Sequence, residues 1–438
     1  MKKLLSAYFA IPLIWRILAG FVFGVVLGIS ASHLEKEYLD ALLPYIEPFG
    51  TLLISMLKMI VFPIIFFSLI IGSASLPLKK SGKLGSAVLL WYFVTSVVAA
   101  LFGTATAFFL NPEMNGAAET AAGHQSELAA IKAAPAGGGL DAFLVNLFAN
   151  PFQALAEGRF LTIVIFSILF GLAARVLLDS AQTPDGSKKH IEAFIDICRA
   201  AAAISFKLID WVMEYFPFGV FALSFTNFAR NGFLLFGPYL RIVLCVIACV
   251  SGMIFIVYPL ALFVICRQNP YKILLRLREP IITAFVTRSS AAALPISLRT
   301  AEKLGISSSL SSFSLPLGCT INMDGVCVHL PVFVILASNI FGVPFTATQM
   351  LILLVSVVFA SVGAGGVPGG SVFLLFMVLE NAGFNTAQTA MIVALALGIN
   401  PILDMFETAC NVTGDNVCTY IVAKRGGLIG ETPAKQAS

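Results

Sequence analysis

Six long apolar runs, at about residues 11–32, 44–76, 85–110, 142–176, 202–227 and 238–266, dominate the first part of the chain. Each suits a helix that crosses a hydrocarbon core, which takes roughly 20 residues, and two are long enough that tilt is expected. Beyond residue 280 the pattern changes. Apolar segments are interrupted by small polar residues, Gly and Pro: TRSSAAALP at 287–295, GCTINMDG at 318–325, SVGAGGVPGGS at 361–371 and NPILDMFETACNVTGDN at 400–416. Irregular backbone at membrane depth is tolerated only where protein buries it or where it lines a water-filled cavity. The first and third interruptions share a run of small residues followed by Leu-Pro or Val-Pro, and paired broken segments predict an inverted repeat around a midplane site. Two ordinary loops leaving the membrane would read similarly, but neither tip carries the Lys/Arg cluster of the earlier loops.

Composition agrees with the pattern. Apolar residues make up 58% of the 438 and charged residues 11%, against about 25% charged in an average soluble domain. The 27 basic and 23 acidic residues leave a net charge of +4 with no basic stripe, which excludes a nucleic-acid footprint. The charges alternate by loop instead. Lys2 and Lys3, then Lys79, Lys80 and Lys83, then Lys188 and Lys189, then Arg267, Lys272, Arg276 and Arg278 mark one side of the membrane. The loop from His33 to Asp40 and the 111–141 loop carry more acid than base. By the positive-inside rule the N-terminus and the 77–84, 177–201 and 267–280 loops face the cytoplasm. The Ala/Gly-rich stretch at 112–140 is expected to be a mobile extracytoplasmic loop. MKKLLSAYFAIPLIW resembles a signal peptide, but the apolar run continues to about Ser30 without a cleavage site, so an uncleaved first helix is expected. The eight cysteines form no CxxC pair and read as buried thiols, with no disulfide framework or metal site.

The candidate chemistry lies in the interrupted segments. Asp404, Thr408, Asn411 and Asp415 form one polar stripe on a helix, with Glu407 beside it, one turn from Asp404. Intramembrane acids cost at least about 2.5 kcal/mol each on insertion scales and usually face a cavity or a partner. An amphipathic surface helix would also explain the stripe, but its other faces are too apolar. Asn322, Asp324 and the flanking Gly318 and Gly325 offer hard oxygen ligands and a chain break that frees carbonyls, which suits a hard monovalent cation; Asp324 as a simple helix cap is the alternative. Arg288, Ser289 and Ser290 at the first broken tip offer backbone N–H groups and hydroxyls to a carboxylate, and Arg288 is expected to pair with an acid.

Taken together, LKMIVFP at 57–63, WYFVTS at 91–96, RSSAAALP, PLGCTINMDG, GAGGVPGGS and ILDMFETACNVTGD resemble the dicarboxylate/amino acid:cation symporters, the family of archaeal aspartate transporters and animal glutamate and neutral amino acid transporters. The resemblance implies an all-α polytopic membrane protein with about eight transmembrane helices, two re-entrant helical hairpins and inverted repeats, assembled as a homotrimer and working as an elevator-type transporter. Scaffold helices 1–2 would occupy 1–84 and scaffold helices 4–5 would occupy 142–230. The transport domain would take helix 3 at 85–111 and helix 6 at 231–270. Hairpin 1 would follow at 271–304, broken helix 7 at 305–341, the gating hairpin 2 at 342–386 and helix 8 at 387–425. Residues 112–141 would be the extracytoplasmic loop and 426–438 a cytoplasmic tail.

Carried over by position, Asp404 and Thr408 would hold a substrate amine. Asn411 and the Ser290 region would hold the α-carboxylate, with backbone of Gly366 and Val367 closing over it. One sodium site would use Asp415 with carbonyls of Gly318, Asn322 and Asn411. A second would use carbonyls of Thr320, Ser361, Val362 and Ala364, and a third Tyr92, Thr95, Ser96, Asn322 and Asp324. Two departures bear on the substrate. Glu407 stands where the acidic amino acid carriers have Arg, and Val326 stands where a Thr follows NMDG. An anionic side chain against Glu407 would be repelled, and a buried unpaired charge opposes binding by several kcal/mol.

Three readings of Glu407 stay open. It pairs with a cationic side chain; or, protonated, it hydrogen-bonds a neutral polar substrate and carries the proton; or Arg288 neutralises it and leaves a pocket for a neutral amino acid. The function expected is therefore symport of an amino acid, with a neutral or cationic side chain favoured over an acidic one, with cations across a lipid bilayer, sodium being the favoured ion and no cofactor besides the coupling ion. A proton-coupled or dicarboxylate carrier, a passive channel, and an intramembrane aspartyl hydrolase built on Asp324 and Asp415 are the rivals. A bacterial inner membrane, with both termini cytoplasmic, is expected from the short termini and the lack of a sorting signal.

Overall fold

Every regular element among the described residues is helical, and the only extended pairing there is an isolated bridge between Ile306 and Ile429. The structure, a computed structural model, describes residues 10–74, 82–110, 148–157, 160–343, 346–362 and 370–430. In chain order the helices are α1 (Leu13–Ala31), α2 (Lys36–Ala74), α3 (Gly82–Leu110), α4 (Pro151–Glu157), α5 (Phe160–Asp179) and α6 (Asp185–Asn231). A short 3-10 turn leads to α7 (Phe236–Gly252), which passes through a π turn at Met253–Val257 into α8 (Tyr258–Cys266). Then come α9 (Pro270–Arg276), α10 (Arg278–Thr287), α11 (Ser290–Lys303), α12 (Ser308–Ile321), α13 (Asp324–Phe341), α14 (Ala347–Val362), α15 (Gly370–Asn381) and α16 (Thr386–Arg425).

Two helices outrun their apolar stretches. The residues at 177–201, read from their charges as a loop, are mostly helical: the turn closes at Pro184 and α6 starts at Asp185. Lys188 and Lys189 lie in the opening turns of α6, where no hydropathy signal is required of a helix that projects beyond the apolar layer. Likewise α2 begins at Lys36 rather than near 44 and continues through Pro44, Pro48 and Pro63. The 142–176 run yields α4 and α5 among the described residues. All eight cysteines are free and buried.

Small residues set the closest helix contacts. On α1, Gly20, Gly24 and Gly28 recur every fourth residue and face the backbone of α6 at Pro217, Phe221 and Phe225. A Cβ on Gly24 would stand 2.6 Å from the Phe221 carbonyl oxygen, and one on Gly28 would stand 2.7 Å from that of Phe225. Such small-residue ridges let membrane helices approach where lipid gives no hydrophobic driving force. Helix α6 also packs along α2, and α2 along α5. The remaining helices gather around α13, which is buried on every face from Asp324 to Ala337. A helix apolar all round belongs in a core, and here α3, α7, α14, α15 and α16 enclose it. Outward faces are the reverse of a soluble protein's: Trp15, Phe23, Phe152, Trp211, Phe255 and Phe263 are all exposed. Five helical stretches among the described residues are long and apolar enough to cross a membrane, and α1 and the ends of α2 and α14 add shorter ones.

Candidate functional site

Two of the four interruptions, at 287–295 and 318–325, break the chain as expected, while 400–416 lies within one unbroken helix. Asn322 and Met323 leave helical geometry (φ −102°, ψ 78° and φ −106°, ψ 61°) and separate α12 from α13. Helices α10 and α11 pack side by side, joined by Arg288 and Ser289. Arg288 adopts the left-handed region at φ 54°, a conformation that costs a non-glycine residue about 1 kcal/mol and marks a constrained position. The Ser289 hydroxyl accepts from the Ala292 N–H at 3.3 Å and so caps α11. Helices α14 and α15 pack together in the same way. The link between them, with Ala364, Gly366 and Val367, lies outside the described residues.

The polar stripe lies on one continuous helix, α16, which opens with a reciprocal capping box between Asn385 and Gln388. Its acids are enclosed: relative exposure is 2% at Asp404, 3% at Glu407 and 2% at Asp415, and Asp324 on α13 is at 0%. A surface amphipathic helix is thereby ruled out. Each carboxylate has a defined neighbour. Arg288 Nη1 stands 3.8 Å from Asp404 Oδ2, the acid partner expected for it. Thr408 turns its hydroxyl back to the Asp404 carbonyl at 2.7 Å. Asn411 Oδ1 accepts from the Gly325 N–H at 2.7 Å, tying α16 to the first turn of α13. There is no room for a side chain at Gly325, because a Cβ would collide with the Glu407 backbone.

Around Asp415 and Asp324 the structure gathers hard oxygen ligands. Asp415 Oδ1 accepts from Asn322 Nδ2 at 3.0 Å, while its Oδ2 is buried with no hydrogen-bond partner among the described residues. A Cβ on Gly318 would lie 2.5 Å from Asp415 Oδ1 and 2.7 Å from the Tyr92 hydroxyl. Next to this, Thr95 Oγ1 lies 3.2 Å from Asn322 Oδ1, and Ser96 donates to Asp324 Oδ1 at 3.1 Å. The Tyr92 hydroxyl is turned to the Ser314 carbonyl at 2.8 Å, leaving its backbone as the group nearer Thr95. A buried carboxylate oxygen without a donor, on a carboxylate whose other oxygen meets an amide, fits a small hard cation. Thr320 and Val362 line a common cavity of about 420 Å³ between α2, α6, α12 and α14, and Ser361 precedes Val362 at the end of α14. Val326 is buried in the first turn of α13.

Two residues of the site escaped the sequence reading. Tyr258, the first residue after the π turn, donates to Asp324 Oδ2 at 2.6 Å. π turns insert one extra residue and recur at functional sites; here the shift aims a tyrosine at a carboxylate. His329, on the second turn of α13, holds Glu407 Oε2 with its Nδ1 at 2.6 Å. Arg288 therefore does not serve as the counter-ion of Glu407: its guanidinium reaches Asp404, and the imidazole across the α13–α16 contact takes the role instead. A lone histidine inside an apolar run is the one cue that pointed to it.

Comparison with known proteins bears on the chain as a whole. Residues 13–425 match the Sodium:dicarboxylate symporter family. A serine/threonine transporter of Bifidobacterium adolescentis is 30% identical over 95% of this chain and 90% of its own length. A proton/sodium-glutamate symport protein of Bacillus caldotenax is 29% identical over 97% of each chain. A serine/threonine transporter of Streptococcus agalactiae is 28% identical over 97% of this chain and 98% of its own. Relatives at nearly equal identity thus carry different named solutes, so similarity alone does not assign one.

Proposed function

The chain belongs to the sodium:dicarboxylate symporter family, a multi-pass membrane transporter and not an enzyme, and on that premise we propose that it carries an amino acid with a neutral side chain together with sodium ions. The observation that carries this reading is the 2.6 Å contact between His329 and Glu407. A cationic side chain would have to displace an imidazole already seated on the carboxylate. An anionic one would meet Glu407 without the arginine it needs. Between these extremes a neutral side chain leaves the buried pair intact. The names of the two serine/threonine transporters support the same solute class.

In this reading Asp404 and Thr408 take the substrate amine, and Arg288 gives up its longer-range contact with Asp404 as the amine arrives. The Asn411 amide nitrogen and the N-terminus of α11 at Ser290, whose hydroxyl is buried without a partner among the described residues, take the α-carboxylate. Gly366 and Val367 close over it. Sodium sits at Asp415 with Gly318, Asn322 and Asn411, at Thr95, Ser96, Asn322 and Asp324 with the Tyr92 backbone, and at the carbonyls of Thr320, Ser361, Val362 and Ala364. The α10–α11 and α14–α15 pairs act as re-entrant hairpins. They ride with α3, α7, α8, α12, α13 and α16 as an elevator against a scaffold of α1, α2, α5 and α6, within a homotrimer whose termini are cytoplasmic. The lipid-exposed scaffold faces supply the trimer contacts.

A substrate screen repeated with Glu407→Arg tests the solute class. The wild type is expected to prefer neutral amino acids, and the arginine variant to gain uptake of aspartate or glutamate, since the swap restores the cation that acidic substrates require. An unchanged ranking would remove Glu407 from the side-chain pocket. Uptake of succinate by the wild type would instead favour a dicarboxylate carrier, against which the carboxylate of Asp404 argues.

A further inference from the structure

We propose that His329 selects the solute's side chain through one hydrogen bond between Nε2 and an uncharged polar group, so that hydroxyl- and carboxamide-bearing amino acids are preferred to aliphatic ones of equal size. The proposal rests on the reading above that Glu407 lines the side-chain end of the pocket. It begins from enclosure. His329 is 1% and Glu407 3% exposed, so the ring nitrogen that does not meet Glu407 is enclosed as well. That nitrogen, Nε2, donates or accepts according to the tautomer that the Glu407 contact sets. A hydroxyl or a carboxamide can answer it in either case, because each both donates and accepts.

Nothing among the described residues meets it: His329 Nε2 is buried and without a hydrogen-bond partner. Its direction is fixed from two sides, by the Nδ1 contact to Glu407 and by the Phe333 ring one turn along α13, with ring centroids 4.9 Å apart. Glu407 in turn sits one helical turn from Asp404, the group assigned to the substrate amine. An amino acid held by its amine at Asp404 presents its side chain at this level. An oxygen on that side chain completes the imidazole. A methyl group in the same place leaves a buried ring nitrogen unpaired, which costs about 1–3 kcal/mol.

The test is competition for uptake in proteoliposomes under a sodium gradient, using isosteric pairs: serine against 2-aminobutyrate, and threonine against valine. The wild type is expected to favour the hydroxyl member of each pair by about tenfold in KM. His329→Phe and His329→Leu should bring the ratio to about one, and His329→Gln, which keeps an N–H donor, should restore a severalfold preference. A purely structural histidine would change both members of a pair alike and leave the ratio untouched. A wild-type ratio near one, or a ratio unmoved in the phenylalanine or leucine variant, overturns the assignment. The wild-type ratio decides even if a variant fails to fold. Uptake of no neutral amino acid at all overturns the solute class and this assignment with it; uptake without discrimination overturns only the role of His329.

Discussion

Gly318 shows how tightly the residues proposed to hold sodium are packed. Its missing side chain leaves space that a methyl group would fill at 2.5 Å from Asp415 Oδ1 and 2.7 Å from the Tyr92 hydroxyl. Gly318→Ala is therefore expected to raise the sodium concentration for half-maximal uptake by about tenfold or more, because one ligand has to move out of place. Uptake measured against sodium at fixed substrate reads this directly, and an unchanged sodium dependence would remove Gly318 and Asp415 from the coupling site. At this scale the sequence made much of the site legible. Acids spaced along one helix, and an Asn-Met-Asp-Gly break, announce themselves because charge in an apolar run is costly. His329 and Tyr258 were not legible. Each stands among apolar neighbours, and each meets a partner distant in sequence, 78 residues away for His329 and 66 for Tyr258. Only the fold reveals such a pair.

At the scale of elements, α1 and α6 depend on backbone proximity rather than on large side chains. Gly24 lies against the Phe221 carbonyl and the Ser224 Cβ, with 2.6 Å and 2.9 Å available to an added Cβ. Gly24→Leu has to push the two helices apart, and overpacking of this kind costs about 1–3 kcal/mol. The expected result is a lower thermal unfolding midpoint in detergent, with reduced uptake per molecule and no change in substrate ranking. An unaltered midpoint would mean that α1 and α6 are not held by this ridge. The helices that apolar length marks out were found where expected, while their ends were not. Helix α6 begins amid charged residues, because a helix that projects past the apolar layer needs only its own backbone hydrogen bonds to continue, and α2 runs through three prolines, which membrane helices tolerate where neighbouring groups satisfy the carbonyls that the missing N–H groups leave free. The π turn ahead of Tyr258 carries no sequence signature at all.

For the molecule as a whole, two features belong together: an outer surface rich in exposed aromatic and aliphatic side chains, and a centre that holds four carboxylates at 3% exposure or less. This inversion of a soluble protein is what a bilayer permits, and it is why composition alone gave the class. Charges at the centre persist because each is given a partner or a ligand to await: Arg288 near Asp404, His329 on Glu407, Tyr258 and Ser96 on Asp324, Asn322 on Asp415. The most direct test of the account is accumulation of a neutral amino acid by purified protein in liposomes, with an inward sodium gradient as the only driving force. The account predicts concentrative uptake of serine, threonine or a similar neutral amino acid that collapses when sodium is equal on both sides. Concentrative uptake of aspartate or glutamate in preference, or neutral uptake indifferent to the sodium gradient, would contradict it.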